Sequence, residues 1–280
     1  MAENGNRKKT MRLGHSPDAD DAFMFYAMSE GAVSSEIVEF THVVEDIQSL
    51  NKRALEGELE LTAISARNYL NVKDRYRVMS CGASMGMGCG PVVVSSSPTA
   101  SLEGKTVAVP GKLTTAYLLL RLYSDGFTPV EMPFDAVTNA VKSGEVDCAL
   151  LIHEGQVTYR DDGLELVFDI GELWGAETSL PLPLGLNVIR RDVPPDIASE
   201  ALRLHRESID YALSNKDEAL EYAMRFSRGI EREKAERFVL MYVNEYTRDM
   251  GKEGREAVEL LYGKAFEKGL IREKVSLDPL

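Results

Sequence analysis

Two segments, LNKRALEGELELTAIS (residues 50–65) and VTNAVKSGEVDCALLI (residues 137–152), carry the same pattern. In each, a helical run ends at a glycine, Gly57 or Gly144, and an apolar, strand-like run follows, since glycine is favoured just past a helix C-terminus. The first strand ends in a serine and the second is followed at once by a histidine. Any unit of helix and strand can share this pattern, but two such units in matched lobes would present polar groups to a shared cleft.

Short β-rich runs and helical stretches alternate outward from these two segments. Strands that alternate with helices of this length need crossover connections, which favour a largely parallel sheet. From about residue 196 onward the chain is charged, with apolar side chains at helical rather than alternating spacing. The predicted strands are 10–15, 37–45, 59–65, 105–109, 129–134 and 146–152, and the predicted helices are 20–29, 46–56, 66–72, 114–124, 135–143, 196–214, 231–243 and 253–268.

Two β-like runs edged by glycine and proline, residues 90–98 and 182–191, are candidate hinges. If both cross between lobes, lobe one comprises residues 1–92 plus about 187–280, and lobe two comprises residues 93–186. A layout with two crossings allows the lobes to close as rigid bodies around a ligand.

Composition bounds the class of protein. The chain has 280 residues, 44% of them hydrophobic, and its 45 acidic and 32 basic residues give a net charge of −13. That charge disfavours nucleic-acid and anionic-membrane partners. Residues 1–10 are polar and no apolar run approaches the ~18 residues that span a bilayer, so we expect neither a secretory signal nor a membrane helix. Three cysteines without a C-x-x-C pair indicate reduced thiols in a cytoplasmic protein.

The usual signatures of nucleotide kinases, dinucleotide enzymes and metalloproteases are missing from the sequence. Thr99 stands where a phosphate loop ending at Gly104-Lys105-Thr106 needs its first glycine. The run GASMGMGCGP (residues 82–91) has Pro91 where a dinucleotide-binding motif needs its last glycine, and no H-E-x-x-H occurs. These functional classes therefore lose their sequence support.

His153 is the strongest candidate for catalysis. It follows DCALLI (residues 147–152), an unbroken apolar run that predicts a strand buried on both faces. Open α/β sheets bind ligands at the carboxyl ends of such strands, and histidine readily exchanges a proton near neutral pH, which suits a general base. The alternative is a histidine that only hydrogen-bonds a loop. By the same argument His15, also beside a strand end, is a weaker candidate for catalysis. Nothing in the sequence points to a catalytic role for His42 or His205.

Hydroxyl side chains mark a candidate substrate site. Thr114 and Thr115 follow Pro110-Gly111-Lys112 at a predicted helix start, where hydroxyls and free N–H groups can hold a carboxylate. The alternative is an ordinary helix cap. Ser65 occupies the matching place in the first repeated segment.

Three aspartates, Asp18, Asp20 and Asp21, precede or enter the first predicted helix. They could bind a metal ion, but acidic residues at the start of a helix usually complement its dipole, and we favour that interpretation.

Five stretches together resemble one known family, the menaquinone-biosynthesis family that contains 1,4-dihydroxy-6-naphthoate synthase of the futalosine pathway. The resemblance covers most of the chain in the same order. It implies an α/β, two-lobe type II periplasmic-binding-protein-like fold with two hinge crossings and an interlobe cleft, and a cytoplasmic enzyme. The stretches are MRLGHSPDADDAFMFYA (residues 11–27), GPVVVSS (90–96), KTVAVPGKLTTAYLLL (105–120), LLIHEGQVTY (150–159) and LPLPLG (180–185).

The resemblance implies a carbon–carbon lyase without a redox cofactor or a metal. Its reaction would convert cyclic dehypoxanthine futalosine, a small aromatic carboxylate, into 1,4-dihydroxy-6-naphthoate with loss of dihydroxyacetone. The family's catalytic histidine matches His153 in Leu151-Ile152-His153-Glu154, which implies a general base there. The residues that match the family's substrate contacts are Ala63, Ile64, Ser65, Thr114 and Thr115.

The chain departs from the family pattern at two places. Many members read S-P-C-P-N-D-T-F where this chain has SPDADDAF (residues 16–23), and many carry a lysine at the position of Ala63. Both changes make the predicted cleft more acidic, which bears on the identity of the substrate. Two alternative functions stay open: a solute-binding protein of the same fold, which would require export, and a sister enzyme such as a chorismate dehydratase.

Overall fold

The first part of the chain alternates strand and helix as predicted. The structure is a computed structural model that describes residues 8–226 and 229–280. Most of the polar segment 1–10, in which we expect no secretory signal, lies outside the described residues. The elements here are β1 (Lys9–His15), α1 (Ala19–Ser29), β2 (Val38–Val44), α2 (Ile47–Glu56), β3 (Leu61–Ser65), α3 (Ala66–Val72), β4 (Tyr76–Val78) and β5 (Ser84–Gly86).

The middle of the chain repeats the alternation, and the last third is helical after one further strand. The middle elements are β6 (Val92–Ser95), β7 (Thr106–Val109), α4 (Thr115–Tyr123), β8 (Thr128–Glu131), α5 (Phe134–Ser143), β9 (Cys148–Leu151), α6 (Gly155–Thr158), β10 (Glu165–Asp169) and α7 (Ile170–Thr178). The last are β11 (Leu182–Arg190), α8 (Pro195–Ser214), α9 (Lys216–Met224), α10 (Arg232–Tyr242), α11 (Glu245–Arg248) and α12 (Gly251–Glu267).

The strands of the described residues form two sheets, one for each lobe. The first has the order β2-β1-β3-β11-β4, with β5 also paired to β11, and the second has the order β10-β6-β9-β7-β8. β6 pairs in the second sheet from Val92 onward, and β11 pairs in the first sheet from Leu182 onward. We propose lobe boundaries at the starts of these two strands: the first lies close to the predicted residue 92, and the second precedes Leu182, a few residues before the predicted residue 187.

The prediction of a largely parallel sheet is wrong. β1 runs parallel to β2 and β3, and β7 runs parallel to β8 and β9, but the pairs made by β6, β10 and β11 are antiparallel. β6 and β11 carry the chain from one sheet to the other, so no crossover helix within a sheet constrains their direction. An apolar run alone does not reveal the direction of a strand, which is why the pattern did not distinguish the two cases.

The two glycines of the repeated pattern end helices as predicted. Gly57 caps α2 at φ 70° and Gly144 caps α5 at φ 75°, both in the left-handed region that favours glycine. The strands that follow, β3 and β9, are buried along their whole length. Each glycine therefore turns its chain into the centre of a sheet.

The C-terminal helices complete the first lobe. Helices α8, α9 and α10 pack against α1, and their apolar side chains form one core with Phe23, Phe25, Leu204 and Phe238. α12 packs against β11 and α4. Among the described residues, no helix is long and apolar enough to cross a membrane. This packing places the end of α10 beside the gap between the sheets.

Candidate active site

A cleft lies between the two lobes. It is lined by loops and strand ends of the first sheet, by the starts of α4 and α6 in the second lobe, and by α10. Since ligands of open α/β sheets bind beyond the carboxyl ends of strands, β3 and β9 place their last residues where a ligand would lie. The polar residues of the lining are Ser16, Asp20, Asp21, Ser65, Ser84, Thr114, Thr115, His153, Gln156 and Tyr242.

Most of the predicted site residues lie together in this cleft. Ile64 does not line it, because its side chain is fully buried in the core. Successive side chains of a strand point to opposite faces, so Ile64 points away from the face that carries Ala63 and Ser65. The predicted residues that the cleft brings together are Ala63, Ser65, Thr114, Thr115 and His153.

His153 lies just beyond the end of β9 in an unusual backbone conformation. Its φ is 55°, in the left-handed region that costs about 1 kcal/mol or more for a residue with a Cβ. The Gln156 oxygen accepts a hydrogen bond of 3.2 Å from the His153 N–H when the Gln156 amide nitrogen faces the Gly90 carbonyl at 2.7 Å. The backbone around this histidine is therefore fixed by contacts to α6 and to the segment before β6.

The imidazole of His153 is held on two sides. Its Nδ1 lies 3.0 Å from the Asp18 Oδ2, and its ring meets the edge of Phe134 with centroids 5.0 Å apart. The Nε2 is buried and has no hydrogen-bond partner within the described protein. The side chain is 15% exposed. Within the described protein, Nε2 is therefore the ring nitrogen that has no partner.

Both predicted threonine hydroxyls are already hydrogen-bonded. Thr114 caps α4, accepting from the Tyr117 N–H at 3.2 Å and donating to the Gly111 carbonyl at 2.7 Å, so the helix-cap interpretation is correct for this residue. Thr115 donates to the Leu184 carbonyl at 2.6 Å and accepts from the Arg67 N–H at 3.1 Å. Because Leu184 and Arg67 belong to the first lobe, Thr115 joins the two walls of the cleft.

Ser65 is positioned by a residue that the sequence analysis did not single out. The Asn51 side chain on α2 donates to the Ser65 Oγ and accepts from the Ser65 N–H, both at 2.9 Å. Asn51 is fully buried. An asparagine on the buried face of α2, inside the repeated segment, was the signal that could have identified it.

Buried carboxyl groups gather beside the histidine. Asp20 and Asp21 lie in the first turn of α1, as expected for residues that complement a helix dipole, yet both are buried and line the cleft. Burial raises the pKa of Asp21 to about 6, although the Ser16 N–H donates to its carboxylate at 2.7 Å. Burial and the neighbouring Asp21 raise the pKa of Asp20 well above its ordinary value. The Asp20 carboxyl is therefore neutral over part of the pH range in which most aspartates are charged.

The aspartates do not form a metal site. Across residues 8–226 and 229–280, no group of three or more His, Cys, Asp or Glu side chains is arranged to hold a metal ion. Of the two interpretations for Asp18, Asp20 and Asp21, metal ligation therefore has no geometric support.

Comparisons with known proteins agree with this architecture. A family model described as menaquinone biosynthesis matches residues 11–267. The chain is 43% identical over 262 residues to a 1,4-dihydroxy-6-naphthoate synthase from Thermus thermophilus, covering 94% of this chain and 96% of the relative. The chain belongs to the menaquinone-biosynthesis family. The resemblance found in the sequence is therefore confirmed, and the chain is an enzyme of this family.

Solved structures confirm the fold of this family member. A crystal structure of a protein from Archaeoglobus fulgidus is 54% identical, superposes with a TM-score of 0.91, and the match covers 94% of this chain and 98% of that one. An alkanesulfonate-binding protein from Xanthomonas axonopodis, 15% identical, superposes with a TM-score of 0.73 over 97% of each chain. The second match shows the fold alone, and it confirms the two-lobe, periplasmic-binding-protein-like architecture.

This menaquinone-biosynthesis family member has a cleft whose described lining contains no lysine or arginine side chain. Ala63 lines the cleft, and Asp20 and Asp21 lie in the same lining. The predicted acidic character of the cleft is thus present in the structure. An acidic ligand would meet hydroxyl, amide, imidazole and carboxyl groups.

The remaining histidines lie outside the cleft lining. The His15 ring stacks on Phe25 with centroids 4.9 Å apart, and its Nε2 lies 3.1 Å from the His42 Nδ1. The His205 ring also stacks on Phe25, with centroids 4.5 Å apart. Burial lowers the pKa of His15 to about 4 and that of His205 to about 3. The weaker candidate His15 is therefore a packed, neutral ring at neutral pH.

Sequence reasoning also missed Tyr242 and Gln156 as site residues of this family member. Tyr242 at the end of α10 lines the cleft and lies within hydrogen-bond distance of the Gln156 amide. Both side chains are buried although polar. The apolar spacing of residues 231–243 places Tyr242 on a buried face, but nothing in that spacing shows that the face abuts a cleft.

Proposed function

We propose that the chain is a carbon–carbon lyase that converts cyclic dehypoxanthine futalosine into 1,4-dihydroxy-6-naphthoate and dihydroxyacetone, with His153 as general base. The Thermus relative carries the name of that synthase. Support from the site comes from one observation above all: the His153 Nε2 is buried, without a hydrogen-bond partner in the described protein, on a residue that lines the interlobe cleft.

The substrate would be a small aromatic carboxylate held between the two walls of the cleft. Apolar contacts are available from Ile47, Ala63 and Ile152, and polar contacts from the hydroxyls of Ser65 and Ser84. A mostly apolar pocket with a few placed polar groups is typical of small-molecule sites. The helix start at Thr114 adds backbone N–H groups that favour an anion.

The imidazole would remove a proton from the bound substrate as the carbon–carbon bond is prepared for cleavage. A positioned general base contributes typically 10²–10⁴-fold to a rate, and the orientation of the substrate by both walls supplies much of the rest. The hydrogen bonds that join the walls, such as that from Thr115 to the Leu184 carbonyl, would hold the cleft closed against water.

The purified protein should be incubated separately with cyclic dehypoxanthine futalosine and with chorismate, and the products identified by mass spectrometry. We expect turnover of the first. Turnover of chorismate alone would favour a dehydratase-like sister enzyme, and binding without turnover of either would favour a solute-binding protein.

Replacement of His153 tests its role. His153→Asn suits the left-handed backbone at this position, because asparagine tolerates positive φ better than most residues, so the fold should persist. We expect turnover to fall by at least ~10²-fold. His42→Gln is the matched control, since His42 is a histidine outside the cleft lining, and it should retain near-wild-type turnover. Wild-type turnover in His153→Asn would end the assignment of the base.

We also propose that the protein works in the cytoplasm and has no nucleic-acid partner. The cysteines Cys81, Cys89 and Cys148 are free thiols, and the net charge of −13 disfavours phosphate backbones.

A further inference from the structure

Asp18 contacts the candidate base from the opposite lobe. It directly precedes α1 in the first lobe, and its side chain makes no hydrogen bond to the N–H groups of that helix, although it occupies the cap position. Its Oδ2 instead accepts from the Ser16 Oγ at 2.6 Å and lies 3.0 Å from the His153 Nδ1 in the second lobe. Asp18 is 1% exposed and does not line the cleft.

We propose that Asp18 is the positioning residue of His153: its carboxylate accepts a hydrogen bond from Nδ1–H and so keeps Nε2 free of a proton and facing the cleft. The importance of this pair for turnover rests on the proposed function. The two nitrogens of a neutral imidazole carry one proton between them, and the hydrogen bond made by one nitrogen decides which of them holds it. A carboxylate accepts but does not donate, so it selects the Nδ1–H tautomer.

The surroundings of the ring support this assignment. Nε2 has no partner in the described protein, whereas Nδ1 has the Asp18 carboxylate, so the two nitrogens face different environments. The Phe134 edge limits rotation of the ring, and the hydrogen bond to Gln156 holds the left-handed backbone. Backbone strain of this kind persists where surrounding contacts hold it, and it concentrates at functional sites.

A carboxylate at this place also stabilises the charge that a base acquires. When Nε2 takes a proton from the substrate, the ring becomes an imidazolium, and Asp18 compensates its charge without accepting a proton itself. Asp20, Asp21 and Glu154 are the other carboxyl groups near this point, and all three are buried.

Nitrogen NMR of the ligand-free protein labelled with 15N-histidine tests the tautomer directly. The chain has four histidines, and the resonances that vanish in His153→Asn assign the ring. We expect the neutral wild-type ring to show a protonated Nδ1 and an unprotonated Nε2. In Asp18→Ala the Nδ1–H preference should be lost. If the neutral His153 ring of the wild type carries its proton on Nε2, the proposal is wrong, regardless of the results obtained with the variants.

Kinetics on the same proteins separate positioning from a structural role. We expect kcat of Asp18→Ala to fall 10–100-fold, the range typical of residues that orient a reactive ligand, with KM changed much less. Asp18→Asn keeps the volume and loses the charge, so its kcat should fall too, which keeps the test available if the alanine variant fails to fold.

Asp161→Asn is the matched control, because Asp161 also reaches from the second lobe to the first, pairing with Lys234 on α10 at 2.8 Å, and it lies outside the cleft lining. Its kcat and its His153 tautomer should match wild type. If the tautomer of His153 depends on Asp18 but the protein does not turn over cyclic dehypoxanthine futalosine, the positioning role is supported and only the proposed function is refuted. An unchanged tautomer and kcat in both Asp18 variants would refute the positioning role.

Discussion

Replacing His205 by leucine should remove a large part of the acid sensitivity of the fold. His205 on α8 is fully buried, and neither of its ring nitrogens has a hydrogen-bond partner among the described residues. Burial, with a smaller contribution from His15, lowers its pKa from 6.5 to about 3. A buried imidazolium would lose its hydration, so the folded protein keeps this ring neutral.

The direction of the effect follows from which state binds the proton. As the pH falls through 6.5 the unfolded chain protonates His205, whereas the folded chain does not do so until about pH 3. The stability that the neutral ring contributes is therefore complete above pH 6.5 and is lost as the pH falls toward 3. Between pH 7 and pH 5 the linkage relation converts this into a loss of about 2 kcal/mol in the free energy of unfolding.

Other groups titrate over the same range, so the useful quantity is a difference of differences. Burial lowers the pKa of His15 to about 4, which acts in the same direction, and raises the pKa of Asp21 to about 6, which acts in the opposite direction. Subtracting the pH 7 to pH 5 change of His205→Leu from that of the wild type removes these contributions to the extent that the sites are independent. A difference of about 2 kcal/mol between the pH-dependent change of the wild type and that of the variant should remain.

Urea unfolding followed by circular dichroism at pH 7 and pH 5 measures this difference. Leu204→Met is the control, since Leu204 is the neighbouring buried residue on α8 and does not titrate. The difference in the free energy of unfolding between Leu204→Met and the wild type should be the same at pH 7 and at pH 5. If His205→Leu shows the full pH dependence of the wild type, the assignment of a buried, neutral ring to His205 is wrong.

Two further predictions concern hydrogen bonding and backbone conformation. Thr115→Val leaves the Leu184 carbonyl and the Arg67 N–H without their partner and should lower the free energy of unfolding by about 1–3 kcal/mol, whereas Thr115→Ser, which keeps the hydroxyl, should be close to wild type in urea unfolding. Gly57→Ala and Gly144→Ala should each lose about 1 kcal/mol, because both glycines have left-handed φ. Gly57→Ala should be the less stable of the two variants in thermal unfolding, because the added Cβ would lie 2.7 Å from the Arg75 side chain. At Gly144 no atom lies within 4 Å of the added Cβ, so equal losses of stability in the two variants would contradict this reasoning.

The local pattern of the sequence predicted much of the secondary structure. The predicted helix 66–72 matches α3 (Ala66–Val72), and the glycines at 57 and 144 end their helices in the left-handed conformation. These features depend on short-range physics: the period of apolar residues and the conformational freedom of glycine. The short strands β4 and β5 were missed, since three residues are too few to show a period.

The candidate site was predictable only where position along a strand implied position in space. His153 and Ser65 follow or end buried strands, and both reach the cleft as expected. Ile64 was assigned to the site through its neighbours in the sequence, yet strand alternation buries its side chain in the core. Asn51 and Tyr242 were not predicted as site residues, because the position of a polar residue on the buried face of a helix does not show which groups it will contact.

The sequence by itself determined the alternating α/β composition, the two matched helix–strand units and the histidine that follows the second of them, because each is written in a window of about 15 residues. Only the tertiary structure decided that β6 and β11 run antiparallel, that Asp20 and Asp21 lie buried in a cleft rather than at an exposed helix end, and that Asp18 meets His153. Asp18 and His153 are far apart in the chain and belong to different lobes. Their contact depends on how two separately folded sheets are placed against each other, and no local period encodes that placement.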